Sequence, residues 1–294
     1  MTHSPAVFSL RPTLRPMPQT VTRFAPSPTG WLHLGHAYAA KVAHDLANRD
    51  GGRFLLRFED IDHTRVRPEY YGAIEDDLRW LGLDWDGLAL RQSERTAAYA
   101  EALEELRQMA VAYPCFCTRR EIEEEIARMV SAPHGPEGAL YPGTCRRLPE
   151  DERSSRLAAG QQPAWRLDAG KAAEITGGLS FTDTCHGRIP VDPRLLGDVV
   201  LARKDIGTSY HLAVVVDDAF QQVTHVTRGE DLLPSTHVHR MLQALLGFPE
   251  PAYLHHALVV DENGVRLAKR HDALSIRGLR ESGLTPADLL ARLP

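Results

Sequence analysis

The stretch RFAPSPTGWLHLGHAYAA, Arg23 to Ala40, begins as a strand and ends as a helix, with two prolines and a glycine making the turn between them. A strand, a tight turn and a helix N-terminus together present backbone N–H groups and the positive end of a helix dipole to an anion. The stretch therefore predicts a nucleotide phosphate site at the edge of a parallel sheet. His33 and His36 lie about one helical turn apart, so both rings can face one ligand and meet charge developing on a phosphate.

Outward from this unit, small and apolar residues from Leu34 to Leu46 predict a helix that stops at Gly51-Gly52, and RFLLRF, Arg53 to Phe58, predicts a second strand. Pro68 opens a further helix with Tyr71, Ile74, Leu78 and Leu81 on one face, and Ser93 is expected to cap another through Tyr99, Leu103 and Leu106. Strands alternating with helices imply a doubly wound parallel α/β sheet of the Rossmann type. From Tyr113 the pattern changes to three cysteines, a charged helix and a Pro/Gly-rich stretch, followed by short strand-like pieces, which reads as an inserted α+β lobe.

The α/β signal returns at Tyr210. Residues 211–220 fit either a strand or a buried helix, VTHVTR is strand-like, and Ser235 or Thr236 is expected to cap a helix ending at Gly247. Asn263-Gly264 marks a hairpin turn. The resulting division is a leader over 1–20, a first sheet half over 21–112, the lobe over 113–209, a second sheet half over 210–254 and a C-terminal segment over 255–294.

The 294 residues carry 43% hydrophobic and 25% charged side chains, the composition of a globular protein, with no apolar run of membrane-spanning length. The Pro/Arg-rich opening lacks the apolar core of a signal peptide, so a disordered leader on a cytoplasmic protein is expected. A net charge of −5 argues against non-specific coating of nucleic acid, while basic clusters at Arg119-Arg120, Arg146-Arg147 and Arg266 to Arg280 leave room for a local RNA contact. The four cysteines leave metal ligation and free thiols both open, with His134 more readily an exposed loop residue than a substitute ligand and Cys185 apart as a small buried or half-buried residue.

The string APSPTGWLHLGHA resembles the HIGH signature of class I aminoacyl-tRNA synthetases in its glutamyl/glutaminyl form, and RFEDID (Arg57 to Asp62) and YHLAVVVDDAFQQVTHVTRGEDLL (Tyr210 to Leu233) are similar to further segments of that family. RLAKR, Arg266 to Arg270, resembles the second signature, KMSKS, with arginine for the first lysine and Ala268 for the serine. The resemblance implies a glutamate pocket of Arg23, Phe24, Ala25, Pro26, Ser27, Glu59, Tyr210 and Arg228. It also implies ATP held by His33, Gly35, His36, Arg266 and Lys269, with His33, His36 and Lys269 serving catalysis and Mg²⁺ accompanying ATP. On the residues alone, a structural ion pair of Glu59 with Arg57 or Arg65 is the favoured reading.

Cys115-x-Cys117 with Tyr141-x-x-x-Cys145 is similar to the pattern that holds one structural zinc in the glutamyl-queuosine tRNA(Asp) synthetases of this family. After Arg270 only His271 to Pro294 remain, too short for an anticodon-reading domain of ordinary size. That combination implies activation of L-glutamate with ATP in the absence of tRNA, and transfer to queuosine in the anticodon arm of tRNA(Asp); the lack of a coiled-coil heptad or extended apolar interface pattern leads to the expectation of a monomer. A truncated enzyme charging the 3′ end of tRNA(Glu), and a non-catalytic RNA-binding relative, are the alternatives.

Overall fold

In the computed structural model, residues 19–49, 51–128, 134–136, 138–259 and 275–294 are described. The strands are β1 (Val21–Phe24), β2 (Arg53–Phe58), β3 (Leu90–Arg91), β4 (Ala112–Cys115), β5 (His134–Gly135), β6 (Gly138–Ala139), β7 (Ala164–Leu167), β8 (Ser180–Asp183), β9 (Gly187–Pro190), β10 (Val200–Ala202), β11 (His225–Gly229) and β12 (Ala252–His256). The helices are α1 (Leu34–Arg49), α2 (Glu69–Trp80), α3 (Thr96–Gln108), α4 (Arg119–Arg128), α5 (Glu150–Ala158), α6 (Ala169–Thr176), α7 (Tyr210–Phe220), α8 (Leu233–Leu245), α9 (Ile276–Glu281) and α10 (Pro286–Leu290).

Strands β1, β2 and β3 are parallel in the order β1-β2-β3, with Arg23 opposite Leu55. Strand β11 pairs in parallel with β12, which pairs in parallel with β8. Thr224, at the entry to β11, joins the two groups: its N–H donates to the Val21 carbonyl (3.0 Å), and its hydroxyl oxygen accepts the Val21 N–H (2.8 Å). The chain therefore turns outward in opposite directions from β1 and β11, and the crevice beyond their C-terminal ends is where open α/β sheets bind ligands. A separate antiparallel sheet, β10-β7-β4, forms the body of the inserted stretch, while β8 and β9 extend the edge beyond β12.

Helix α1 lies against β1 and β2 through Leu34, Ala37, Ala40, Ala43 and Ala47, a face of small side chains that permits close approach. Thr22 on β1 donates its hydroxyl to the Ala43 carbonyl at 2.8 Å. Gly52 is required at the return into β2, because a Cβ there would stand 2.0 Å from the Thr20 carbonyl oxygen.

The ambiguous stretch 211–220 is helical, and its interior carries two buried acids among valines. Asp217 accepts from Tyr99 Oη (2.7 Å), Gln92 Nε2 (2.9 Å) and Arg95 Nε (2.6 Å), tying α7 to α3. Asp218 accepts from Arg23 Nε on β1 (3.0 Å) and Arg57 Nη2 on β2 (2.7 Å). Burial opposes its ionisation, but the two guanidiniums hold its carboxyl below the usual range.

Two expected caps are used otherwise. Ser93 does not cap the third helix, which begins at Thr96; its N–H and hydroxyl bond Asp60 instead, at 2.8 and 2.7 Å. Ser235 and Thr236 lie inside α8, which starts at Leu233 with Pro234 in its first turn, and Thr236 turns its hydroxyl to Arg228. Tertiary partners outbid the local capping bond at both places. The Asn263-Gly264 hairpin lies outside the described residues.

Replacing Asp218 with alanine would strand two buried guanidiniums, so D218A is expected to lose ~3–5 kcal/mol of stability. Equilibrium urea unfolding measures this, and a loss below ~1 kcal/mol would show that the bridge is not structural.

Candidate active site

A cavity of about 590 Å³ opens at the crevice between β1 and β11. Its walls come from the end of β1 and the following turn (Arg23, Phe24, Ala25, Pro26, Ser27), the start of α1 (His33, Gly35, His36), Glu59 after β2, Tyr210, and the end of β11 (Thr227, Arg228, Gly229). Every sequence-predicted glutamate-pocket residue is brought to this one cavity, and so are His33, Gly35 and His36. Lys269 and Arg266 lie outside the described residues. Asp231, His256 and Leu258 also line the cavity and were not anticipated. The RGED run offered a signal for part of this wall, since a Cβ on Gly229 would stand 2.6 Å from Asp231 Oδ1 and 2.8 Å from Leu258 Cδ2.

The helix α1 N-terminus faces this cavity with no acidic residue in its first turn, which leaves its dipole available to an anion. The rings of His33 and His36 stack with centroids 3.8 Å apart. His33 Nδ1 accepts the Gly35 N–H (3.1 Å), and His36 Nδ1 accepts the His33 N–H (3.3 Å). With Nδ1 an acceptor, each neutral ring carries its proton on Nε2. The same turn holds the far end of the chain: His33 bridges to Ser275, and the Ile276 N–H donates to the Leu32 carbonyl at 2.8 Å.

Glu59 is positioned by its own N–H, which donates to the Pro26 carbonyl at 3.0 Å. Its carboxylate forms no hydrogen bond or ion pair with a described residue, and Arg57, its proposed structural partner, is committed to Asp218 and Gln221. Burial raises the Glu59 carboxyl to about 7, against the opposing pull of Arg57 and Arg23. An acid whose ionisation is suppressed in a cleft is a candidate functional group. A second cavity of about 360 Å³ shares Ser27, Glu59 and Tyr210 with the first and is otherwise lined by apolar residues such as Ile61, Val66 and Ile206 together with Asp62, Arg65, Gln92 and Arg203.

Two arginines reach the main cavity in different states. Arg23 shares the single Asp218 carboxylate with Arg57 and also donates to the Thr227 carbonyl at 3.1 Å. Arg228, buried on β11, donates from Nη1 to Tyr210 Oη at 3.1 Å, and its other protein partners are histidines and a threonine. The phenol accepts here, and burial keeps Tyr210 protonated by raising it above the usual range.

On the inserted stretch, Cys115, Cys117 and Cys145 place their sulfurs within 4.8 Å of one another. Cys117 Sγ is 3.3 Å from Cys145 Sγ, and Tyr141 Oη is 3.4 Å from Cys115 Sγ and 3.6 Å from Cys117 Sγ. Hydrogen bonds from Cys115, Tyr141 and the Phe116 N–H lower the Cys145 thiol to about 6, against its burial. Thiolates bound to tetrahedral zinc at ~2.3 Å stand ~3.8 Å apart, so this donor set and spacing fit such an ion. The His134 side chain is outside the described residues. Cys185, expected buried or half-buried, is exposed on the turn after β8, where its N–H donates to Asp183.

The model of the catalytic domain of class I tRNA synthetases for Glu and Gln matches residues 19–293. The chain belongs to this family. It is 51% identical over 274 residues to a glutamyl-Q tRNA(Asp) synthetase of Rhodobacter capsulatus, covering 92% of this chain and 98% of that one. A protein of the same name from Nocardia farcinica is 47% identical over 92% of this chain and 82% of its own. Among solved structures, a glutamate tRNA ligase from Elizabethkingia meningosepticum, crystallised with its amino acid, superposes with a TM-score of 0.73 at 30% identity, over 90% of this chain and 53% of that chain. This chain thus spans about half the length of that ligase.

The raised Glu59 carboxyl has a consequence for stability. Between its unfolded value and about 7 the folded protein holds a proton that the unfolded chain has released, so stability falls as pH rises through that window. E59Q removes the titration. It is expected to unfold at higher urea than the parent at pH 8 and to lose that advantage at pH 4.5; parallel stability curves across this range would refute the assignment.

Proposed function

We propose that the protein is a glutamyl-queuosine tRNA(Asp) synthetase: it activates L-glutamate with ATP without needing tRNA, then transfers glutamate to queuosine in the tRNA(Asp) anticodon arm. The observation that carries this reading is 51% identity along 98% of a relative bearing that name, combined with a cavity that holds both an acid and an arginine with no oppositely charged partner among the described residues.

The α-ammonium of glutamate pairs with the Glu59 carboxylate, and its side-chain carboxylate meets Arg228 and Tyr210, with Arg23 completing the positive wall. ATP lies with its phosphates toward the α1 N-terminus and the Nε2 protons of His33 and His36, with Gly35 allowing the backbone close, and Lys269 and Arg266 supply further positive charge. Mg²⁺ accompanying ATP would neutralise part of the phosphate charge. A glutamate α-carboxylate oxygen forms a bond to the α-phosphorus while the bond from that phosphorus to the bridging oxygen of the leaving pyrophosphate breaks. A queuosine hydroxyl then attacks the adenylate carbonyl, AMP departs, and the hydroxyl proton passes to the leaving phosphate or to solvent.

The second cavity, sharing Glu59 and Tyr210 with the first, gives the accepting nucleoside an approach. Cys115, Cys117, Tyr141 and Cys145 would hold one zinc ion, whose contribution is structural. The enzyme works as a monomer in the cytoplasm, where its tRNA is found.

Labelled glutamate and ATP, offered with queuosine-containing tRNA(Asp), unmodified tRNA(Asp) and tRNA(Glu), test the reading. Label is expected only on the anticodon fragment of the queuosine-containing tRNA; label on the 3′ end of tRNA(Glu) would make the protein a charging enzyme instead. H36A is expected to lower glutamate-dependent ATP–pyrophosphate exchange by ~10²-fold or more without unfolding. For the metal, elemental analysis should find one zinc per chain, and its chelation should lower Tm; a metal-free protein with unchanged Tm would remove the zinc assignment.

A further inference from the structure

Arg228 is 6% exposed, yet no carboxylate among the described residues pairs with it. A guanidinium has five N–H donors and no acceptor. Here Nε donates to His255 Nε2 (3.1 Å), Nη1 to Tyr210 Oη and His239 Nδ1 (both 3.1 Å), and Nη2 to Thr236 Oγ1 (2.6 Å). Four donors are spent on uncharged acceptors, and one N–H of Nη2 remains. Arg23 and Arg57 nearby share Asp218, whereas Arg228 has no such carboxylate among the described residues.

The direction of these bonds fixes the histidine tautomers. Because Arg228 can only donate, His255 Nε2 and His239 Nδ1 are lone-pair acceptors. The His255 proton is then on Nδ1, donated to Asp183 Oδ2 at 2.6 Å, and the His239 proton is on Nε2, donated to His211 Nδ1 at 3.2 Å. Burial and the charge of Arg228 hold both rings neutral, with His255 lowered to about 4 and His239 well below its ordinary value. Burying a cation without a counter-ion costs free energy, and a fold retains it where a ligand supplies the missing charge.

We propose that His239 and His255 are positioning residues for the anionic end of the amino acid: as neutral acceptors they fix the Arg228 fork in one orientation without neutralising it, so that its charge is reserved for the substrate carboxylate. This rests on the glutamate reading above. Neither histidine touches the substrate in this scheme; each acts through Arg228.

The test compares two variants of the same shape. In H239N the amide oxygen replaces Nδ1 as an uncharged acceptor, whereas in H239D a carboxylate stands at the same place and pairs with Arg228. In ATP–pyrophosphate exchange, H239D is expected to raise the glutamate KM at least about tenfold over H239N, with the KM for ATP within about twofold and inhibition by L-glutamine, whose side chain is uncharged, little changed. H239D should also melt no lower than H239N, because it satisfies a buried cation; a merely structural role for His239 predicts no such opposition between stability and affinity. Equal glutamate KM values in the two variants, or a parallel loss of ATP affinity in H239D, would overturn the proposal. Should either variant fail to fold, H239E against H239Q repeats the comparison. Parent protein without glutamate-dependent exchange would instead sink the glutamate reading itself.

Discussion

The carboxylate of Asp218 is the joint on which the sheet depends. It comes from the middle of an apolar helix and accepts one guanidinium from β1 and one from β2, so α7 is locked across the two strands whose ends form the cavity floor. Taking one acid and two arginines out of water is unfavourable unless their geometry is good, and the return is one arrangement of the strands rather than several. The neighbouring Asp217 does the same for α3 through a tyrosine, a glutamine and an arginine. Two adjacent acids on one helix turn therefore hold both sides of the catalytic half in register.

That scaffold explains how the cavity comes by its mixture of charges. Arg23 projects toward the cleft with its one carboxylate partner shared with Arg57, Glu59 stands beside it with its ionisation suppressed, and Arg228 is held by rings and hydroxyls. The cleft thus brings together an acid at Glu59 and an arginine at Arg228 that no described carboxylate pairs, with Phe24 to Ser27 also lining it. A zwitterion with a second carboxylate matches that distribution.

Much of this was legible in the sequence. The strand–turn–helix at Arg23 to Ala40 was legible because its turn residues and helix face are local properties, and part of the cavity lining, though not Asp231, His256 or Leu258, followed from the family resemblance. Local pattern failed where partners distant in sequence decide. Ser93, Ser235 and Thr236 have the chemistry of caps but are claimed by Asp60, by the interior of α8 and by Arg228, and no periodicity reveals such claims. The triple valine before Asp217 could not distinguish strand from helix, since a fully buried helix hides its amphipathic period. The histidines around Arg228 were also silent, scattered over α7, α8 and β12 until the fold assembled them.

Ser27, Glu59 and Tyr210 form a party wall between the two cavities. A molecule entering either side displaces water from the same carboxyl and the same phenol, and thereby changes the electrostatic cost that the other side's occupant must meet. By reciprocity, whatever factor the first imposes on the second is returned in full. Any coupling between the occupants of the two rooms passes through three shared side chains.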